Sequence, residues 1–202
     1  MAGWKLPFEA LVFDLGGVIV LHDNEALYRR LGARCAAPDA AVRIKREAED
    51  PRYAIGALTI PTLHEALRHE LGYRDDWAGF LADWCSHFTI DGAMLALVET
   101  LAAEHRVLLF SNTNREHWEF LCAATQGVLG RLEAHLSYEL GAMKPFPEAF
   151  RRMAARAGIA PARSLFIDDL AVNVEGARRA GFQAELFTGR RALKQFLAAA
   201  QP

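Results

Sequence analysis

Polar side chains stand at the ends of short apolar runs, and their types suit chemistry on a phosphate group. Asp14 ends one run, Ser111 and Asn112 end a second, and Asp168 and Asp169 end a third. Carboxylates can hold Mg²⁺, which prefers hard oxygen ligands, and an aspartate can attack phosphorus to form a covalent intermediate. The residue types therefore indicate metal-assisted phosphoryl transfer, provided that the fold brings them together.

Three further features fit the same chemistry. Lys144 lies in a loop from which it could reach the same crevice and offer a point charge to a phosphate. The Ser111 hydroxyl and the backbone amides near Asn112, at a predicted helix start, suit an anion. Gly16 and Gly17 would let the backbone after the first aspartate bend close to a ligand.

The elements that must position these residues are strands and helices in alternation. The apolar runs do not alternate with polar residues, as expected of strands that are buried on both faces of a parallel sheet; they span 10–14, 107–111, 165–169 and 182–187. Helical patterns lie between and after them, near 91–104, 113–124, 147–157, 172–180 and 190–200. We expect a doubly wound α/β sheet, with ligands bound beyond the carboxyl ends of its strands.

One interval is too long for a single crossover. The chain between Asp14 and Ser111 far exceeds the roughly 30 residues of a βαβ unit. We predict that residues 22–88 are inserted after the first strand as a small helical cap, with the α/β core formed by 1–21 and 89–202. The predicted cap helices lie near 24–31, 39–49, 60–71 and 75–86.

Composition excludes several classes of function. The 202 residues are 52% hydrophobic and 24% charged, with a net charge of −2, so no basic excess favours nucleic acid or an anionic membrane. No run is long enough for a membrane span, and Glu9 and Asp14 interrupt the N-terminal apolar run, which argues against a secretory signal. The three cysteines are far apart and match neither a zinc pattern nor a disulfide framework. We expect a soluble cytoplasmic protein; its oligomeric state is not predicted.

Four motifs in order resemble those of the haloacid dehalogenase superfamily, which consists mostly of phosphatases. They are Phe13–Val18, Phe110–Asn114, Met143–Pro145, and Phe166–Asp169 with Asn173. Each motif alone is weak, but their order, their places at strand ends and the inserted cap together are specific. Within the superfamily the chain resembles the branch that contains bacterial α-D-glucose-1-phosphate phosphatase and, more distantly, the N-terminal phosphatase domain of soluble epoxide hydrolase.

The resemblance implies a role for each matching residue. Asp14 would be the nucleophile and a ligand of Mg²⁺, with the Gly16 carbonyl and Asp169 as further ligands. Asp168 would support the metal site, and Asn173 would orient Asp169. The residues implied to hold the transferred phosphoryl group are Ser111, Asn112 and Lys144.

Gly16 departs from the pattern of the resembling family. Most phosphatases of the superfamily have a second aspartate at this position, which acts as a general acid and base and contributes about 10²–10⁴-fold in rate. Three interpretations follow: a substrate with a good leaving group, such as a sugar 1-phosphate; a substitute group, for which the candidates are His22, Asp23 and His87; or retained binding without catalysis.

The cap offers several candidate contacts to a substrate. Besides His22, Asp23 and His87, Arg43 and Arg46 lie one helical turn apart and would suit a sugar or an acid group. His117, in the helix after Ser111, could face the crevice, but we expect it to pack in the core.

The function predicted from the sequence is a Mg²⁺-dependent phosphatase of a small phosphorylated metabolite, preferably a sugar phosphate, acting through an aspartyl-phosphate at Asp14. The alternatives are a metal-independent 2-haloacid dehalogenase and a non-catalytic ligand-binding protein on the same fold. The paired aspartates at 168 and 169 argue against the first alternative, and the intact Asp14 and Lys144 argue against the second.

Overall fold

A parallel five-stranded sheet forms the centre of the α/β part of the chain. The computed structural model describes residues 4–201. Its strands are β1 (Ala10–Phe13), β2 (Val20–His22), β3 (Phe88–Ile90), β4 (Val107–Ser111), β5 (Glu133–Leu136), β6 (Ser164–Asp168) and β7 (Gln183–Leu186). The sheet has the order β5-β4-β1-β6-β7, and all of its pairs are parallel. The carboxyl ends of β1, β4 and β6 therefore meet at one edge, as the sequence predicts.

Eleven α-helices are present in residues 4–201. They are α1 (Asn24–Gly32), α2 (Ala40–Ala48), α3 (Pro51–Ala54), α4 (Ile60–Leu71), α5 (Trp77–Trp84), α6 (Gly92–Ala102), α7 (Arg115–Ala124), α8 (Ser137–Leu140), α9 (Pro147–Ala157), α10 (Ala171–Arg179) and α11 (Arg190–Ala199). None of them is both long and apolar enough to cross a membrane.

Each face of the sheet has its own hydrophobic core, because successive side chains of a strand point to opposite faces. Leu11 and Phe13 of β1 belong to a cluster with residues of α6 and α11. Ala10 and Val12 belong to a second cluster, which includes Phe150 of α9. Helices on both faces of a parallel sheet confirm the predicted doubly wound α/β class.

The two edge strands differ from the prediction. β5 was not predicted, because Glu133 and a buried histidine interrupt any apolar run; within residues 4–201 it pairs only with β4. The run at 182–187 was expected to be buried on both faces, but β7 is an edge strand with Gln183 and Leu186 exposed. The helix predicted from 113 begins at Arg115, because the Asn114 side chain is the one that caps it.

Helices α1 to α5 lie between the short antiparallel strands β2 and β3 and share a hydrophobic core of their own. Its largest buried members include Leu31, Ile44, Leu63 and Phe80. The predicted division into a cap (22–88) and a core (1–21 and 89–202) stays a prediction. Residues 1–3 and 202 of that core lie outside the described residues.

Candidate active site

Lys144 is a buried cation held between two buried carboxylates. Its Nζ lies 2.8 Å from Asp14 Oδ1, at the end of β1, and 2.7 Å from Asp168 Oδ2, at the end of β6. The Lys144 side chain is 1% exposed, so neither ion pair is screened by bulk water. The fold thus joins three residues that lie far apart in the chain, as the strand-end argument predicts.

Asn112 fixes the backbone that carries this lysine. Its Nδ2 donates to the Lys144 carbonyl oxygen at 2.9 Å, and its Oδ1 accepts from the Lys144 amide at 2.9 Å. Both polar ends of the Asn112 side chain thus bind the main chain of Lys144, so the phosphoryl contact predicted at Asn112 would fall to its backbone amide and stays a prediction. The side chain positions Lys144 relative to β4.

Asn173 orients Asp168 and not Asp169, which corrects the role inferred from the resemblance. Its Nδ2 lies 3.0 Å from both Oδ1 and Oδ2 of Asp168, and Oδ1 also accepts from the Leu170 amide at 2.9 Å. Asp168 has no exposed surface. With Lys144 on its other oxygen, Asp168 is held rigidly by the first turn of α10 and by the lysine.

Three carboxylates meet where the sequence predicts a metal. One oxygen each of Asp14, Asp168 and Asp169 lies within 4.8 Å of the others. Asp169 is half-buried and lies against Gly17, where a Cβ would stand 2.1 Å from Asp169 Oδ2. Gly17 also has a φ of +72°, so a glycine is needed there on two grounds. The donors are hard oxygens, which fits a magnesium ion.

The electrostatics of the cluster also fit a bound cation. Burial raises the pKa of Asp14 to about 7, with Asp168 acting in the same direction and Lys144 lowering it. Burial and the Asp168 charge also raise the pKa of Asp169. A divalent cation would favour the ionised carboxylates, because an opposite charge nearby lowers an acid's pKa.

A cavity of about 260 Å³ opens beside this cluster. Gly16 and the buried Ser111 line it from the α/β part, and Tyr28, Glu49 and Trp84 line it from the inserted helices. Among the described residues that line it there is no lysine and no arginine. The cavity can therefore receive an uncharged group attached to a phosphate.

The predicted cap contacts separate into two groups. His22 and His87 line the cavity. Arg43 and Arg46 do not, because they lie on a different groove, between α2 and α4, where Arg43 pairs with Glu70 at 3.7 Å. In contrast to the predicted substrate contact, the structure therefore places these arginines away from the cavity.

Asp23 also does not lie where a substitute general acid and base would be needed. Its Oδ1 accepts from the Ala26 amide at 2.9 Å, so this side chain caps the N-terminus of α1. Asp23 does not line the cavity. The carboxylate that we considered as a substitute acid thus serves helix α1.

His117 lines the cavity, although packing in the core was expected. Its Nδ1 accepts from Asn114 Nδ2 at 3.0 Å, which leaves Nε2 to donate to the Trp84 carbonyl oxygen at 3.2 Å. The His117 ring is also stacked on Trp84, with centroids 4.8 Å apart. Burial, with His87 nearby, lowers the pKa of His117 to about 3, so the imidazole is neutral at physiological pH.

Ser137, which was not predicted as a site residue, supports the loop after β4. The Ser137 Oγ accepts from the Thr113 amide at 3.0 Å and lies 2.5 Å from the Ala54 carbonyl oxygen. It thereby links the α/β part to the end of α3. The available signal was its place directly after β5, but that strand was itself not predicted.

Similarity to known proteins identifies the family of this chain. A family model described as haloacid dehalogenase-like hydrolase matches residues 8–181. The chain belongs to this family. The family resemblance and the hydrolase class predicted from the four motifs are thereby confirmed.

The similarity to individual known proteins covers most of the chain. A D-ribitol-5-phosphate phosphatase from Bacteroides thetaiotaomicron is 26% identical over 190 residues, which cover 86% of this chain and 88% of that protein. A HAD family enzyme from the same organism, in complex with magnesium and inorganic phosphate, is 25% identical with a TM-score of 0.75, covering 91% of this chain and 96% of that one. The L-2-haloacid dehalogenase of Xanthobacter autotrophicus, 22% identical with a TM-score of 0.60 over 95% of this chain and 83% of its own, shares the fold.

Proposed function

We propose that this protein is a Mg²⁺-dependent phosphatase that hydrolyses the phosphate monoester of a small sugar or polyol through an aspartyl-phosphate at Asp14. The observation that carries the proposal is the buried Lys144 ammonium between Asp14 and Asp168, with Asp169 beside them and a cavity adjoining. A named phosphatase among the relatives, and a similar structure with magnesium and phosphate, support the same class.

Asp14 and Asp169 are the residues that would hold the cation, and Asp168 would complete their support. The bound ion would neutralise charge on the phosphoryl oxygens and favour the ionised form of Asp14. The carbonyl ligand implied at Gly16 stays a prediction.

Asp14 would attack phosphorus and carry the phosphoryl group until water releases it. Lys144 keeps the two buried carboxylates from repelling each other and offers positive charge where phosphoryl oxygens gather. Ser111, buried at the end of β4, offers its hydroxyl to one of those oxygens. Asn112 contributes indirectly, because it fixes the main chain of Lys144.

The cavity supports an uncharged leaving group. A second phosphate or a carboxylate on the substrate would lie near Glu49 without a lysine or arginine among the described lining residues to compensate. Tyrosine, asparagine and tryptophan side chains line the cavity and suit hydroxyl groups; they include Asn24, Tyr28, Tyr53, Trp84 and Asn114. The substrate we favour is therefore a monophosphate of a sugar or polyol, and a sugar 1-phosphate stays among the candidates.

The two alternatives lack comparable support. A metal-independent dehalogenase needs no metal site, whereas the three converging carboxylates fit one, and the similarity to a dehalogenase extends to the fold alone. A binding protein without catalysis has no need of an aspartate held by a buried lysine. The cytoplasmic location stays a prediction.

The test is phosphate release from a panel of monophosphates and bisphosphates, with Mg²⁺ and with EDTA. We expect Mg²⁺-dependent release from neutral sugar and polyol monophosphates, abolished in Asp14→Asn and retained in Asp39→Asn, a change at an exposed aspartate whose side chain makes no capping bond. No release from any compound, or release that survives Asp14→Asn, would overturn the proposal.

A further inference from the structure

Hydrolysis of an alkyl phosphate needs a group that donates and accepts protons. Most polar groups around Asp14 already take part in ion pairs or hydrogen bonds. The departing alkoxide must gain a proton, and the water that releases phosphate must lose one. Lys144 is paired with two carboxylates, and both ring nitrogens of His117 are hydrogen-bonded. The inference that follows rests on the proposed function.

His22 lies against the loop that carries Asp14. A Cβ placed on Gly16, two residues after the nucleophile, would stand 3.3 Å from His22 Nε2 and 3.4 Å from His22 Cδ2. Gly16 has an ordinary φ, so its backbone would accept a side chain. The imidazole therefore occupies the space into which a side chain at position 16 would extend.

The chain reverses direction between Leu15 and Val20, and this turn brings His22 back. The Gly17 amide donates to the Val20 carbonyl oxygen at 2.8 Å, and the Val20 amide donates to the Leu15 carbonyl oxygen at 2.9 Å. His22 then pairs with Phe88 in the ladder of β2 and β3. The turn and the strand pairing hold the His22 backbone at the cavity wall, and the residue is exposed enough to meet a substrate.

The other candidate groups are less well placed. Asp23 caps α1. The ring of His87 packs on Phe88 with centroids 3.9 Å apart, and its Nδ1 is buried without a partner in the described part of the chain. Of the groups considered, only His22 has a ring nitrogen beside Gly16.

We propose that His22 is the general acid and base of this enzyme. As Asp14 bonds to phosphorus, the bond from phosphorus to the alcohol oxygen breaks, and that oxygen takes the proton from His22 Nε2. Nε2 then takes a proton from the attacking water as the new phosphorus–oxygen bond forms. The bond to Asp14 breaks, which frees the carboxylate and inorganic phosphate, and His22 is protonated again.

The test compares leaving groups that need a proton with one that does not. We would measure wild type, His22→Ala and the exposed-site control His69→Gln on an alkyl monophosphate and on p-nitrophenyl phosphate, with Mg²⁺ present. We expect His22→Ala to lower kcat/KM for the alkyl phosphate by about 10²–10⁴-fold and for the aryl phosphate by less than about tenfold.

The aryl substrate also separates the two proton transfers. Formation of the aspartyl-phosphate from it needs no acid, but its hydrolysis needs a base. His22→Ala should therefore release a burst of one equivalent of p-nitrophenolate and then turn over slowly. An equal loss of kcat/KM on both substrates, or no loss on either, would overturn the role of His22. Inactivity of the wild type on both substrates would instead overturn the proposed function.

A double variant tests the placement itself. Gly16→Asp alone would force its side chain against the His22 ring, whereas Gly16→Asp with His22→Ala would put a carboxylate in the vacated space. We expect the double variant to recover at least about tenfold of the alkyl phosphatase activity lost in His22→Ala. A double variant no more active on the alkyl phosphate than His22→Ala would contradict the shared space.

Discussion

Replacement of Lys144 by methionine tests how strongly the site depends on one buried charge. The ammonium lies 2.8 Å from Asp14 and 2.7 Å from Asp168, and all three side chains are buried. Methionine preserves much of the side-chain volume between the Phe110 and Phe166 rings, whose centroids lie 5.5 and 5.3 Å from Nζ. The change therefore removes charge more than packing.

Loss of one partner from a buried ion pair destabilises a protein by about 3–5 kcal/mol, because the remaining charge is left uncompensated. We expect a loss in this range for Lys144→Met at pH 8 in EDTA. The exposed Lys194→Met serves as the matched control and should change the free energy of unfolding by less than about 0.5 kcal/mol.

The loss should also depend on pH. The pKa of Asp14 is already raised to about 7 in the wild type, and removal of Lys144, which lowers it, raises it further. Between pH 6 and pH 8 the folded variant then binds more protons than the folded wild type, so its relative stability falls as pH rises. The limit for one group is about 1.4 kcal/mol per pH unit, and we expect a deficit about 1 kcal/mol larger at pH 8 than at pH 6.

Urea unfolding at both pH values, followed by circular dichroism, measures the two quantities. A Lys144→Met protein as stable as the wild type at pH 8 would refute the electrostatic reasoning. A deficit of the same size at pH 6 and pH 8 would show that lost packing, and not uncompensated charge, destabilises the variant.

Three further changes probe the surroundings of the site. Gly17→Ala places a Cβ 2.1 Å from Asp169 Oδ2 at a φ of +72°, so titration calorimetry should show at least about tenfold weaker Mg²⁺ binding; unchanged affinity would contradict the metal role of Asp169. Ser137→Ala leaves the Thr113 amide without its acceptor, and urea unfolding should show a loss of about 1–3 kcal/mol, against no loss if water replaces the hydroxyl. Burial lowers the pKa of His117 from 6.5 to about 3, so at His117 the unfolded chain binds a proton at higher pH than the folded chain, and stability falls as pH drops below 6.5. Between pH 7 and pH 5 the free energy of unfolding of the wild type should fall by about 1–2 kcal/mol more than that of His117→Phe. Equal losses in the two proteins would show that His117 is not the cause.

Strand ends were the most informative signal in the sequence. Asp14, Ser111 and Asp168 each follow an uninterrupted apolar run, and parallel strands bring such ends to one edge. The order of the four motifs predicted the family and the fold class, both of which the comparisons confirm. These features depend on local sequence and on a general rule of sheet topology, so a single sequence is enough to predict them.

Contacts made across the fold were less predictable. Spacing on a helix shows that Arg43 and Arg46 share a face, but not what that face meets, and it meets α4. The hydrogen bonds of Asn173 go to Asp168, one of two adjacent and chemically identical residues, and the sequence does not show which of the two they reach. The approach of His22 to Gly16 depends on a turn that is closed by hydrogen bonds between backbone groups. Such bonds do not require particular side chains, so the sequence does not predict them.

Strand β1 is synthesised before the other strands of its sheet and occupies the middle of that sheet. Its neighbours β4 and β6 begin at Val107 and Ser164, so the apolar segment Ala10–Phe13 leaves the ribosome long before any partner exists. At about 5–20 residues per second, it waits for several seconds before β4 is made. Helices α1 to α5 are complete in that interval and have their own apolar core, so they can become compact first. Nascent chains should therefore resist proteolysis first in the helical segment, while the central strand depends on chaperones or on the growing chain for protection from aggregation.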